Sequence, residues 1–234
     1  MLFILPDADC GRICQLAGNK QSQLLREVKD VLLGTFPSTD LRADGQVVLA
    51  PFETYDVEVV PAFRLPDGKF LTPHTDNNGS WRTSNPVAEY QNLHNADLAS
   101  GGKATHLTMM AKAWQKECNV ELKSTSIEVL AAIFATTWEH RHQSVYYDWM
   151  IRDFLGFLFQ YVNGRTRIVG TDEWLDLGSA WQSKLRTAYE RARTACEYER
   201  ADEGFSASLE WQKIFGSKFN TTTGFLAMLA GVGR

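Results

Sequence analysis

The sequence is poor in cysteine, with four in 234 residues (Cys10, Cys14, Cys118 and Cys196), and no two of them stand as C-x-x-C. That spacing argues against structural zinc and against a disulfide framework, and with no secretory leader the four read as reduced thiols of a cytoplasmic protein with no disulfide partner. A long apolar run is also lacking. Met1-Leu2-Phe3-Ile4-Leu5 is hydrophobic, but it has no basic flank and is far too short for a signal peptide or a membrane span, so it is expected to be a buried strand. There is no excess of positive charge: the formal net charge is -4, which argues against a protein that coats nucleic acid non-specifically, though not against a local basic pocket. Internal repeats and low-complexity tracts are absent too, and glycine clusters only at Gly101-Gly102 and in the tail from Gly224 to Gly233.

What is present is ordinary globular composition, 44% hydrophobic and 22% charged, enough to bury a core. After Pro6-Asp7-Ala8-Asp9, read as a turn, an amphipathic helix is expected from about Ser22 to Thr35, with Leu24, Leu25, Val28, Val31 and Leu32 at helical spacing. Gln46 to Phe52 and Tyr55 to Phe63 are rich in Val and aromatics and are separated only by Glu53-Thr54, the pattern of a tight antiparallel hairpin. Residues 65–80 are turn-rich around a short extended piece. Everything beyond reads as helix: Asn85 to about Ala99, Lys103 to about Lys116, Ser126 to His140, Tyr146 to Val162, Asp172 to about Tyr198 and Ser206 to Phe215. The expected division is a sheet lobe over 1–84, a helical lobe over 85–219 and a mobile tail over 220–234.

Two patterns bear on chemistry. In a period-two strand Asp56, Glu58 and Val60 share one face, and a buried Glu58 would need a cation such as Mg²⁺ to offset its desolvation; a solvated face accounts for the same letters. Lys112-Ala113-Trp114, followed by Lys123-Ser124-Thr125 at a helix start, offers a point charge, a hydroxyl and free backbone N–H groups, which is what a triphosphate requires. An exposed lysine and a routine cap, with capping-box spacing from Thr125 to Glu128, would look the same.

Taken in order, Glu58-Val59-Val60-Pro61-Ala62-Phe63, Gly79-Ser80-Trp81-Arg82 with Asn85-Pro86, Lys112-Ala113-Trp114, Lys123-Ser124 leading to Ile127-Glu128, and Glu210-Trp211 with Ile214-Phe215-Gly216 resemble the bacterial relatives of cyclic GMP-AMP synthase and oligoadenylate synthase, the cGAS/DncV-like nucleotidyltransferases with a SMODS-type catalytic domain. The resemblance runs from Met1 to about Phe219. It implies an α+β fold, a polymerase-beta-like nucleotidyltransferase sheet lobe plus a helical lobe, with nucleoside triphosphates bound in the cleft between them. It implies nucleotidyl transfer assisted by two Mg²⁺ ions, or Mn²⁺ in their place, that joins nucleoside triphosphates into cyclic oligonucleotide second messengers for anti-phage defence, with activator or effector proteins of a defence operon as partners. Three carboxylates hold the metals in that family, an Asp-x-Asp pair on one strand and a third acid on its neighbour. Glu58 stands at the third position and is expected to be both the catalytic and the metal-binding residue here. Lys112 and Ser124 match positions that touch the triphosphate, and Thr125 stands where an aromatic often stacks on the base.

The departure is at the front. The family carries Gly-Ser and then Asp-x-Asp directly before an apolar strand, whereas this chain opens at Met1-Leu2-Phe3-Ile4-Leu5-Pro6, so the expectation is an amino-terminally truncated enzyme that is inactive as it stands. Asp7-Ala8-Asp9 follows Pro6 and is assigned to an exposed turn rather than to the metal pair. Glu139-His140-Arg141-His142 is set aside as a metal site because i and i+2 point to different sides of a helix. The rival readings are a non-catalytic nucleotide- or partner-binding domain derived from this fold, and a helical scaffold in which the motifs only preserve packing.

Overall fold

The computed structural model describes residues 1–143, 146–217 and Phe219; the expected tail over 220–234 lies outside them. The chain divides into two compact units, Met1–Pro86 and Val87–Arg234.

The first unit is a six-stranded sheet with two helices. It comprises β1 (Leu2–Ile4), α1 (Asp7–Cys14), α2 (Lys20–Thr35), β2 (Arg42–Asp44), β3 (Val47–Pro51), β4 (Asp56–Arg64), β5 (Phe70–His74) and β6 (Ser80–Ser84). The nine-residue β4 organises it. β3 pairs antiparallel with its first half (Val48 opposite Val59, Pro51 opposite Asp56), and β5 pairs with its end (Phe63 opposite Leu71). β1 runs parallel to it, with Leu2 opposite Val60 and Ile4 opposite Ala62. The hairpin expected around Glu53-Thr54 is present, closed by Phe52 N–H donating to the Tyr55 carbonyl at 3.0 Å. Alternation along β4 sends Val59, Pro61 and Phe63 inward, where Val59 and Phe63 pack with Leu24, Leu25 and Val28 of α2. Val31, expected on the same apolar stripe, is 71% exposed.

Three expectations for this unit are corrected. β1 is apolar but not buried: Phe3 and Ile4, which point to opposite faces of the strand, are 42% and 49% exposed. Pro6-Asp7-Ala8-Asp9 is not a turn but the entry to α1. Pro6, at φ -59°, occupies the N-cap, and Asp7 and Asp9 sit in the first turn, where the positive end of the helix dipole favours acids. The turn-rich stretch contains a hairpin, β5 with β6. Gly79 is forced at its tip: φ is +92°, and a Cβ there would lie 2.7 Å from Asn19 Oδ1 and fall on Gln21 Oε1. Asn19 caps α2 by accepting from Ser22 N–H at 2.9 Å and donates to the Thr75 carbonyl at 2.9 Å, so the Gly79 motif position serves loop-to-helix packing.

The second unit holds α3 (Pro86–Ala99), α4 (Lys103–Glu117), α5 (Ser124–Thr137), α6 (Tyr147–Leu158) closing in a 3₁₀ turn, β7 (Arg165–Arg167), β8 (Trp174–Asp176), α7 (Gln182–Arg200) and α8 (Gly204–Phe215). Its core is larger and richer in bulky side chains. Trp114, Trp181 and Trp211 are at most 1% exposed and join one cluster with Met110, Phe154 and Leu185. The single long helix expected from Asp172 is corrected. Residues 174–176 instead pair with β7, Arg165 stacks over Trp174 at 4.9 Å, and Gly178 at φ +60° interrupts any helix before α7 begins.

Candidate functional site

Glu58 lies on the solvent-facing side of β4. Asp56 and Glu58 are both exposed while Val57 and Val59 turn toward the core. Backbone polarity identifies the edge beside it. Tyr55 bonds toward β3, whereas Val60 N–H donates to the Met1 carbonyl at 2.8 Å and Leu5 N–H to the Ala62 carbonyl at 2.9 Å, so β1 and β3 take opposite edges. Since β1 reaches only Val60 to Ala62, no strand among the described residues pairs with Asp56 and Glu58 on the β1 edge; the contact there is the Met1 amino group donating to the Glu58 carbonyl at 2.5 Å. An exposed carboxylate carries no desolvation penalty, so burial does not demand a cation at Glu58. What the strand does supply is two hard oxygen donors two residues apart on one open face. That fits part of a Mg²⁺ site, since Mg²⁺ keeps several waters and takes one or two carboxylates together with substrate phosphates.

The other predicted residues belong to the helical unit. Lys112 on α4 is ion-paired with Glu128 on α5, both about one-third exposed; a pair so open to water contributes only ~0–1 kcal/mol. This pairing also replaces the capping box. The N-cap of α5 is Lys123, no side chain caps the helix, and Glu128 points to Lys112 instead of back to the helix start. The Ser126 N–H donates to the Lys123 carbonyl at 3.0 Å, which leaves the Ser124 and Thr125 N–H groups of the first turn for another acceptor. Ser124 Oγ donates to Gln115 Oε1 at 3.1 Å. Thr125 is exposed and lines a narrow pocket with Glu89, Asn92, Ser126, Glu128 and Arg167.

Sequence reasoning missed Ser126, Glu89 and Glu128. Ser126 is 1% exposed, and its Oγ has no hydrogen-bond partner among the described residues. Glu89 is held above the ordinary carboxylate range by burial and, secondarily, by the Glu128 carboxylate. No periodicity or motif marks Ser126 or Glu89; Glu128 was visible as the acid of a presumed cap and as the last letter of the Lys123-to-Glu128 motif, but not as the partner of Lys112.

A second polar cluster lies between α6 and α7. Burial and the nearby Asp148 carboxylate push the Cys196 thiol up to about 12. Glu199 is pushed up to about 7, first by burial of its carboxyl tip on an otherwise exposed side chain and then by a hydrogen bond with Asp148, while the Trp211 indole N–H, donating at 2.8 Å, pulls it back. All four cysteines are free, and no helix among the described residues is long and apolar enough to cross a membrane.

A sheet unit of this topology followed in the chain by a helical unit agrees with a polymerase-beta-like nucleotidyltransferase fold, and comparison with known proteins makes that specific. Residues 1–96 match the family of the Second Messenger Oligonucleotide or Dinucleotide Synthetase domain, SMODS. Among solved structures, Vibrio cholerae DncV cyclic AMP-GMP synthase, in complex with the linear intermediate pppA(3′,5′)pG, is 13% identical with a TM-score of 0.66, over 82% of this chain and 57% of that one. Escherichia coli DncV in its 3′-deoxy GTP bound form is 13% identical with a TM-score of 0.68, over 90% of this chain and 60% of that one. CdnC from E. coli MS115-1, in complex with HORMA-deltaN, is 19% identical with a TM-score of 0.58, over 92% of this chain and 75% of that one. The chain thus spans 57% of the V. cholerae DncV chain. No curated protein matches the sequence. The chain has the fold of the cGAS/DncV-like nucleotidyltransferases, and its first 96 residues match the SMODS domain.

Proposed function

We propose that the chain supplies one metal-binding carboxylate and the phosphate-binding side chains of a nucleotidyltransferase that joins nucleoside triphosphates into cyclic oligonucleotides for anti-phage defence. The observation that carries this reading is the β4 edge. Glu58 faces solvent at the head of Val59-Val60-Pro61-Ala62, and β1, extended two positions toward its amino end in the same register, would run level with it. That is where the family resemblance puts the Asp-x-Asp pair. Bound Mg²⁺ would activate a ribose hydroxyl and stabilise the leaving pyrophosphate. Glu58 would hold one side of the ion, with Asp56 two positions away on the same open face. Lys112 would exchange its weak pairing with Glu128 for the stronger negative charge of a triphosphate, and Ser124 with the uncapped start of α5 would donate hydrogen bonds to phosphate oxygens. Thr125, without a ring to stack, would contact the base through its hydroxyl and methyl groups.

On this reading catalysis requires two further carboxylates beside Glu58, and residues 1–234 alone turn over poorly. Reading the gene in frame upstream of the Met1 codon tests it: Gly-Ser and Asp-x-Asp codons are expected, and an in-frame stop directly before Met1 would contradict it. Labelled nucleotides and Mg²⁺ with the upstream-extended protein should yield oligonucleotide product, and with residues 1–234 little. The second reading, a binding domain without turnover, is favoured by one observation, the existing neutralisation of Lys112 by Glu128. Nucleotide binding without product from the extended protein would select it.

A further inference from the structure

The helical unit holds a cluster that the nucleotidyltransferase reading leaves unused. Asp148 projects from α6, and Cys196 and Glu199, three residues apart, project from one face of α7. One ligand atom from each, two carboxylate oxygens and the Cys196 sulfur, lies within 4.8 Å of the others. They line a cavity of about 800 Å³ that also receives Glu139, Asp153, Arg152 and Arg200. Its four carboxylates outnumber its two guanidinium groups; Arg152 is engaged by Asp153 at 2.7 Å and acts on Asp148 only through space, and Asp148 and Glu199 meet in a carboxyl-to-carboxyl hydrogen bond, with no ion pair to either among the described residues.

Cys196 is the second observation. Its side chain is 4% exposed, yet it lines this cavity and its sulfur has no hydrogen-bond partner among the described residues. Cys196 packs in the apolar core of the helical unit, where a buried thiol needs no explanation, but its sulfur also reaches two acids at a polar cavity, and that does.

We propose that Asp148, Cys196 and Glu199 form a site for a borderline divalent transition metal, zinc above all, that ties α6 to α7. The donor set selects the ion. Thiolate with carboxylates suits Zn²⁺ and disfavours Mg²⁺, which takes oxygen only. Two facing helices presenting ligands into a shared space is a recurrent way for helical proteins to build metal sites. Three protein ligands with the cavity beside them leave the fourth tetrahedral position to water. Tetrahedral zinc spaces its ligand atoms about 3.4–3.6 Å apart, so binding contracts the cluster by roughly 1 Å, within reach of small rotations of the two carboxylates. One Glu199 oxygen already accepts from Trp211 Nε1 at 2.8 Å, the kind of outer support metal ligands usually have, and the metal would take the place of the proton in the hydrogen bond between Glu199 and Asp148. Coordination releases to solvent the Cys196 proton and the proton held between Glu199 and Asp148.

Zinc sulfate titrated into untagged, chelator-treated protein tests this. One equivalent should bind and raise the thermal midpoint by several degrees, and Co²⁺ in place of zinc should give a near-ultraviolet thiolate-to-cobalt charge-transfer band. Cys196→Ala should abolish that band, whereas the double change Cys10→Ser with Cys14→Ser should keep it. Should Cys196→Ala fail to fold, Asp148→Asn, on a partly exposed residue, decides the matter with an expected loss of affinity of at least about tenfold. No stoichiometric zinc, a band that survives Cys196→Ala, a band that vanishes with Cys10 and Cys14, or unchanged affinity in Asp148→Asn would each overturn the proposal.

Discussion

The sheet unit and the helical unit present their candidate residues in opposite ways. In the sheet unit Asp56 and Glu58 stand on an open strand face, beside an edge with no paired strand among the described residues. In the helical unit Lys112 is paired with Glu128, Ser124 with Gln115, and Ser126 is buried. A residue with no structural partner can be replaced at little cost to folding, so any effect of replacing it reports on chemistry. A residue that also holds two helices together reports on both. The difference says which substitutions are clean probes.

The comparison breaks most visibly in the helical core. Trp211 is 1% exposed, stacks on Phe215 at 6.0 Å and donates to Glu199. Trp211→Ala should cost ~3–5 kcal/mol in denaturant unfolding, through lost contacts and a residual cavity; a loss under about 1 kcal/mol would mean that this core is not packed as described. Lys112→Ala removes a pair contributing ~0–1 kcal/mol, so stability should move within that range while nucleoside triphosphate affinity, followed by equilibrium dialysis, falls by about tenfold or more. Unchanged affinity removes Lys112 from the site.

Glu89 gives a smaller, pH-dependent effect. Its carboxyl is raised in the folded protein by burial and by Glu128. Its contribution to stability is therefore fully present below the unfolded-chain value and is lost as the pH rises through the folded one. Glu89→Gln should flatten that part of the stability–pH curve and leave the variant slightly more stable than the parent at neutral pH. A variant whose curve keeps the parent's slope would contradict the assignment.

Much of the fold was legible because it rests on periodicity. The β3–β4 hairpin, α2 and the order of most helices follow from alternation and helical spacing, and the resemblance carried the rest of the architecture. The failures have local causes. Pro6 reads as a turn residue, yet it equally well opens a helix whose first turn carries Asp7 and Asp9. Trp174 and Leu175 extend the apolar pattern of α7 backwards, but β7 recruits them as a strand. The candidate residues were legible only as letters at motif positions. The Lys112–Glu128 pairing, the uncapped start of α5 and the buried Ser126 hydroxyl depend on which side chains meet across helices, and the meeting of Asp148 with Cys196 and Glu199 joins positions about 50 residues apart, beyond any local pattern.

The most direct measurement is Mg²⁺-dependent formation of oligonucleotide product by the upstream-extended protein, beside its Glu58→Ala variant, with thermal unfolding of both. An exposed metal-binding carboxylate should give a loss of product of about 100-fold or more with stability changed by less than ~0.5 kcal/mol. Equal product from the two proteins would contradict the role of Glu58 and, with it, the reading of the β4 edge as part of a metal site.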